Sequence, residues 1–143
     1  MKNPIITLLG NNSGRNLGDA AILSSILHQI NSLLPKAKFF VPATHIEWIQ
    51  KNYEAKYNAK ALNVMPWTLS IRLLGLPTMI AIAKSDTVFI CDGIIFGKKI
   101  LNPAFNYLIT LLFLIPWAKL MGCLLYTSPS PRDATLSRMP SSA

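Results

Sequence analysis

Cysteine and histidine are both sparse, two of each in 143 residues. Cys91, His28 and His45 share no metal-ligand spacing, so no metal is expected. Charged residues make up only 14% of the chain. The lysines are scattered, at Lys36, Lys38, Lys51, Lys56, Lys60, Lys84, Lys98 and Lys99. No basic run is interleaved with aromatics, so nucleic acid is not expected as a partner despite the net charge of +8. A positive face toward anionic lipid head groups or glycans is argued as easily, and most of these lysines read as solvated surface. No charged segment followed by an apolar core and a small-residue cleavage site opens the chain, so no secretory signal is expected. No internal repeat is visible.

Membrane-spanning runs are absent as well. Ala104 to Ala118 carries no charge, but it is shorter than the ~20 apolar residues a span needs and holds Asn106 and Pro116. Leu69 to Ala83 contains Arg72, Gly75 and Pro77. Each reads as a buried or interfacial helix. What the chain has in quantity is apolar residues, 51% of the total. That suits buried parallel strands covered by helices on both faces, and also a membrane-associated protein.

The order of patterns favours the first. Pro4 to Gly10 is a short apolar run ending at glycine and predicts a buried strand. Asn11 to Gly18 is a polar turn. From Asp19 the apolar residues Ala21, Ile22, Ile26, Ile30, Leu33 and Leu34 recur at helical spacing, up to Pro35. Ala37 to Val41 predicts a second strand, closed by Pro42. Thr44 and Glu47 predict a capping box opening a helix that runs to about Tyr53. Lys60 to Met65 predicts a third strand, and Leu69 to Ala83 a helix interrupted by Gly75 and Pro77. Thr87 to Cys91 predicts a fourth strand ended by Asp92 and Gly93. Phe96 to Pro103 reads as a loop, and Ala104 to Met121 as an apolar helix containing Pro116. Strand and helix alternate four times, which predicts an α/β, Rossmann-like parallel sheet with right-handed crossovers. A fifth strand belongs just after Gly122.

The residues from Cys123 onward have a second reading. Cys123 to Asp133 and Ser137 to Ala143 resemble an in-frame translation of a transposase-library sequencing adapter. The intervening Ala134 to Leu136 fall where a variable index belongs. Residues 123–143 are therefore expected to be a non-native, disordered tail, and residues 1–122 a truncated domain. The tail holds Arg132, Arg138 and Asp133, which leaves about +7 of the +8 on Met1 to Gly122. It also holds Cys123, so Cys91 is the one cysteine left. No intrachain disulfide is expected, and a reducing compartment fits.

The chemistry-bearing segment runs from Gly10 through Asn11, Gly14, Arg15, Asn16, Gly18 and Asp19 to Leu23, between the first strand and first helix. Ligands of open α/β sheets collect at the carboxyl ends of strands. Amides at the helix start can hold a phosphate or carboxylate, and Arg15 can add a charge-assisted bond. A purely structural role is equally concrete: Gly14 and Gly18 supplying positive φ, Asp19 capping the helix. No Gly-Lys-Ser/Thr follows, and Gly10, Gly14 and Gly18 do not make Gly-x-Gly-x-x-Gly. No cofactor is expected. Asp92 and Asp19, both at carboxyl ends of strands, can face one cleft and position a sugar hydroxyl or act as base; the reading that comes first is that both are loop caps. His28 and His45 read as ordinary histidines, and Cys91 as a small buried side chain. Trp48, Trp67 and Trp117 read as packing anchors.

The segment Gly10-Asn11, Gly14, Asn16, Gly18-Asp19, Ala21-Ile22-Leu23 resembles the N-terminal signature of the polysaccharide pyruvyl transferase family. It departs at Ala20, where the family often has Glu. Ser85 to Gly93 resembles a second family strand that typically ends in two glycines; here Asp92 replaces the first. The likeness spans most of residues 1–122, and only the first motif is specific. It implies the N-terminal half of a glycosyltransferase-B-like, two-domain enzyme of exopolysaccharide or cell-envelope synthesis. Such an enzyme moves a pyruvyl group from phosphoenolpyruvate to a sugar hydroxyl of a glycan acceptor. It implies substrate-binding roles for Asn11, Asn16, Gly18, Asp19, Asp92 and Gly93. Donor-binding residues would lie in a second half, so no catalytic residue is assigned and the fragment itself is expected to be inactive. The expected location is cytoplasmic, with peripheral membrane contact. Two competing readings are a nucleotide-sugar glycosyltransferase of similar fold and a membrane-associated, non-enzymatic binding module.

Overall fold

A computed structural model of the chain describes residues 3–10, 17–64, 70–71, 74–91 and 107–127. The strands are β1 (Ile5–Leu9), β2 (Lys38–Ala43), β3 (Ala59–Asn63), the short β4 (Ser70–Ile71) and β5 (Leu74–Gly75), β6 (Thr87–Ile90) and β7 (Leu124–Thr127). The helices are α1 (Leu17–Leu33), α2 (Ile46–Ile49), α3 (Ala55–Tyr57), α4 (Leu76–Lys84) and α5 (Tyr107–Leu120), with a π turn over Gln50–Glu54 joining α2 to α3. Five strands form one parallel sheet in the order β3-β2-β1-β6-β7. Apart from the β4–β5 hairpin, this is the strand order of a Rossmann-like sheet, and the α/β reading holds.

Residues Ile6 to Leu9 are all buried because β1 is central and covered on both faces. On one face α1 and the α2–π–α3 segment pack over it: Leu23, Leu27, Ile49, Tyr53 and Tyr57 meet Ile6, Leu8, Phe39, Val41 and Ala59. On the other, Ile82 of α4 and Leu111, Leu114 and Ala118 of α5 meet Leu9, Val88 and Ile90.

Several boundaries depart from the sequence pattern. Pro42 lies inside β2 instead of closing it. The Lys38 N–H donates to the Pro4 carbonyl and the Phe39 N–H to the Asn58 carbonyl. This alternation aims the proton-less Pro42 nitrogen toward β1, beyond the last registered pair, Thr7 with Phe40. The capping box at Thr44 does not form: His45 is the N-cap of α2 and makes no side-chain cap bond, because the helix starts one residue later than the box requires. Gly75 and Pro77 do not interrupt a long helix but open α4, with Gly75 as N-cap and Pro77 in its first turn, where proline's missing N–H costs nothing.

The largest departure is at the carboxyl side. Residues from Cys123 were expected to be disordered, yet Leu124–Thr127 pair in parallel with Thr87–Ile90, and Cys123 is buried. Whatever its origin, Cys-Leu-Leu-Tyr-Thr is apolar and suited to a strand. It enters where the alternating pattern calls for a fifth strand, and Leu125 packs onto the α4–α5 core. Gly122 supplies the turn with φ +75°. The Gly122 N–H donates to the Lys119 carbonyl and the Cys123 N–H to the Ala118 carbonyl, each at 3.0 Å, the paired bonds of a Schellman motif. The expected loop at 96–103 and the first residues of the helix expected from Ala104 lie outside the described residues.

Candidate functional site at the carboxyl edge of the sheet

Both connections that leave β1's half of the sheet run outward to β2 and β3; the chain then returns to β6 on β1's other side. The strand order therefore reverses between β1 and β6, and the crevice beyond their carboxyl ends is where open α/β sheets hold ligands. The register fixes this edge closely. Leu9 lies opposite Ile90, and the Cys91 N–H donates to the Leu9 carbonyl at 2.7 Å. Gly10 and Cys91, both buried, are thus the first residues beyond the ends of β1 and β6. The two sequence motifs, far apart in the chain, leave the sheet side by side.

Of the six expected site residues, Gly18 and Asp19 are described; Asn11, Asn16, Asp92 and Gly93, with Gly14 and Arg15, lie outside the described residues. Helix α1 begins at Leu17, before Asp19. Gly18 is therefore a first-turn residue with no positive φ, and Asp19 sits within the first turn rather than capping it. There its carboxylate faces the positive end of the helix dipole. Gly18 is exposed and Asp19 half-buried. A glycine at this position leaves the first-turn backbone open to close approach.

The remaining candidates fall into place as side chains of the scaffold. His28 is exposed on α1 and Cys91 is buried against the α1-side core. Trp48 meets Tyr53 edge-on at 5.3 Å, and the Trp117 indole N–H donates to the Met79 carbonyl at 3.1 Å; both anchor packing, as expected. Trp67 lies outside the described residues. No cluster of three or more His, Cys, Asp or Glu fit for a metal occurs among the described residues.

A groove of about 570 Å³ runs between α1 and the sheet, lined by Ala21, Ile22, Ser25 and Gln29 on the helix and by Phe89 and Tyr126 on β6 and β7. The Phe89 and Tyr126 rings lie 4.9 Å apart, and the Gln29 amide donates to the Ser25 hydroxyl at 3.2 Å. Sequence reading did not single it out. Its signal is only alternation along two strands, and the pairing of Phe89 with Tyr126 depends on tertiary register. No protein-family model matches the chain, and no curated protein does either.

Proposed function

We propose that this chain is the N-terminal, Rossmann-like half of a polysaccharide pyruvyl transferase-like enzyme, acting on phosphoenolpyruvate and a glycan acceptor. The observation that carries the reading is the meeting of β1 and β6 at the switch point. There β1, which leads into the Gly10–Leu23 segment bearing the family-like signature, and β6, which lies within the Ser85–Gly93 stretch, end at the same level. The reaction needs two sugar hydroxyls. One adds to C2 of the enolpyruvate while the methylene takes up a proton; the second displaces phosphate and closes the ketal. Asn11, Asn16, Gly18, Asp19, Asp92 and Gly93 are assigned to holding substrate at this edge. The donor-binding groups are assigned to a second domain.

The test is a phosphate-release assay on the protein encoded by the source DNA read onward through the codon for Gly122. Phosphoenolpyruvate is supplied with a panel of glycans, and a parallel panel supplies nucleotide sugars. Acceptor-dependent phosphate release supports the transferase. Consumption of a nucleotide sugar instead favours the glycosyltransferase alternative, whose ligand would occupy the same crevice. Activity with neither, together with an open reading frame lacking a second α/β domain, sinks both.

A further inference from the structure

Helices α4 and α5 cover the sheet with one side and turn an apolar side outward. Leu76 and Ile80 of α4 are 50% and 51% exposed; Leu112, Phe113 and Leu120 of α5 are 64%, 62% and 73% exposed. The bond from Trp117 to Met79 marks the seam between the helices. At about 100° per residue, Leu76 and Ile80 project on one side of that seam and Phe113, Leu120 and Leu112 on the other. All five point away from the buried Ala81, Ile82, Leu114 and Ala118. Five large apolar side chains therefore make one outward band, where a solvated helix would carry polar residues.

Charge says what the band meets. Both helices run from the carboxyl edge of the sheet to its amino edge, so Lys84 and Lys119, in their last turns, flank the band at one end. Neither helix contains Asp or Glu. The acidic residue nearest in sequence, Asp86, is engaged: its carboxylate accepts the Ile5 N–H at 2.9 Å. A second copy, itself carrying +8, would bring like charges together. An anionic head-group layer would instead offset them while the lysine stems lie along the apolar surface. No helix among the described residues is long and apolar enough to cross a membrane.

We propose that the outer band of α4 and α5 is a peripheral docking surface for an anionic lipid membrane, with Leu112, Phe113 and Leu120 entering the interface and Lys84 and Lys119 meeting head groups. The band uses different residues from the carboxyl-edge crevice and holds whatever reaction that crevice serves.

The test is flotation of the full chain with phosphatidylcholine vesicles containing about 30% phosphatidylglycerol, against pure phosphatidylcholine, at ~0.1 M and ~0.5 M salt. The chain is expected to float with the anionic vesicles at low salt, and about tenfold or more weakly with pure phosphatidylcholine. The double variant L112S/F113S is expected to lose about tenfold or more of this binding, as is K84E/K119E at low salt. All four side chains are exposed, so the fold should survive; far-UV circular dichroism checks it. L33S/L34S, which removes two exposed leucines at the end of α1, is expected to bind unchanged. Absence of flotation overturns the proposal. So does equal loss in L33S/L34S, which would mean unspecific adhesion, or a dimer dispersed by L112S/F113S, which would mean that a second copy covers the band.

Discussion

Three buried polar side chains carry the clearest predictions at the level of single residues. Thr78, in the first turn of α4, is fully buried, and its hydroxyl has no hydrogen-bond partner among the described residues. Thr78→Val keeps the shape and removes the unsatisfied group. It should stabilise the chain by about 1 kcal/mol, read as a raised urea midpoint at constant slope. Thr7 is the opposite case. Ser85 donates its hydroxyl proton to the Ala81 carbonyl at 2.7 Å, so in the 2.6 Å contact between the two hydroxyls Thr7 is the donor and Ser85 the acceptor. Thr7→Val should cost about 1 kcal/mol. The Cys123 thiol lies 3.1 Å from the Ile82 carbonyl and 3.0 Å from the Ser85 carbonyl. Burial first, and then the Asp86 carboxylate, push its pKa up. The folded state thus favours the neutral thiol. Its contribution is complete below the ordinary thiol range and is lost as pH rises through the raised folded value. Stability should therefore fall on the alkaline side, and fall less in Cys123→Ser; a series of urea melts across pH checks this. Tyr53, also raised by burial, adds a loss of the same sign that this variant leaves in place.

Among the elements, the α2–π–α3 segment shows how a sequence pattern is kept by bending the helix. Ile49, Tyr53 and Tyr57 are all buried at spacings of four. A pure α-helix would rotate such a series by about 40° per step off its face. The wider π turn over Gln50–Glu54 reverses that drift, so the three side chains stay on the sheet. The segment ends at Asn58 with φ 52°, a conformation asparagine tolerates. Helix α5 ends at Gly122 in the same left-handed region, and a Cβ there would meet nothing within 4 Å. Gly122→Ala should therefore cost about 1 kcal/mol through backbone conformation alone, without any steric clash, measured as a shift in unfolding midpoint.

For the whole molecule, β7 decides whether the sheet is complete enough to stand. It pairs with β6 along Thr87–Ile90 and brings Cys123 and Leu125 onto the α4–α5 core. Ending the chain at Gly122 would strip β6 of that neighbour and leave an open edge beside exposed apolar surface. The 1–122 chain is expected to aggregate or unfold without a sharp transition, whereas 1–127 should unfold cooperatively. Analytical ultracentrifugation and thermal melts separate the two, and a monomeric, cooperative 1–122 chain would contradict this. Sequencing the source DNA beyond the codon for Gly122 tests the adapter reading directly. A frame that diverges after Gly122 into another apolar strand would mean that Cys123–Thr127 fills a native strand's place by composition alone.

The linear pattern by itself determined the alternation of strands and helices, because buried parallel strands read as short apolar runs and their covering helices as spacings of three and four. Ile5–Leu9 and Thr87–Ile90 are legible in that way, and so is the break at Gly10. Tertiary structure decided what local pattern cannot carry. Pro42 extends β2 because its nitrogen faces beyond the last registered β1–β2 pair, where the ladder asks no hydrogen of it. Gly75 and Pro77 start α4 instead of breaking a longer helix. Gly18 and Asp19 belong to the first turn of α1. Above all, only strand order and register bring the end of β1 beside the end of β6, and Phe89 beside Tyr126. Those neighbours are set by packing across the sheet, which couples residues some eighty positions apart, as in the bond between Ile5 and Asp86, and leaves no trace in local sequence.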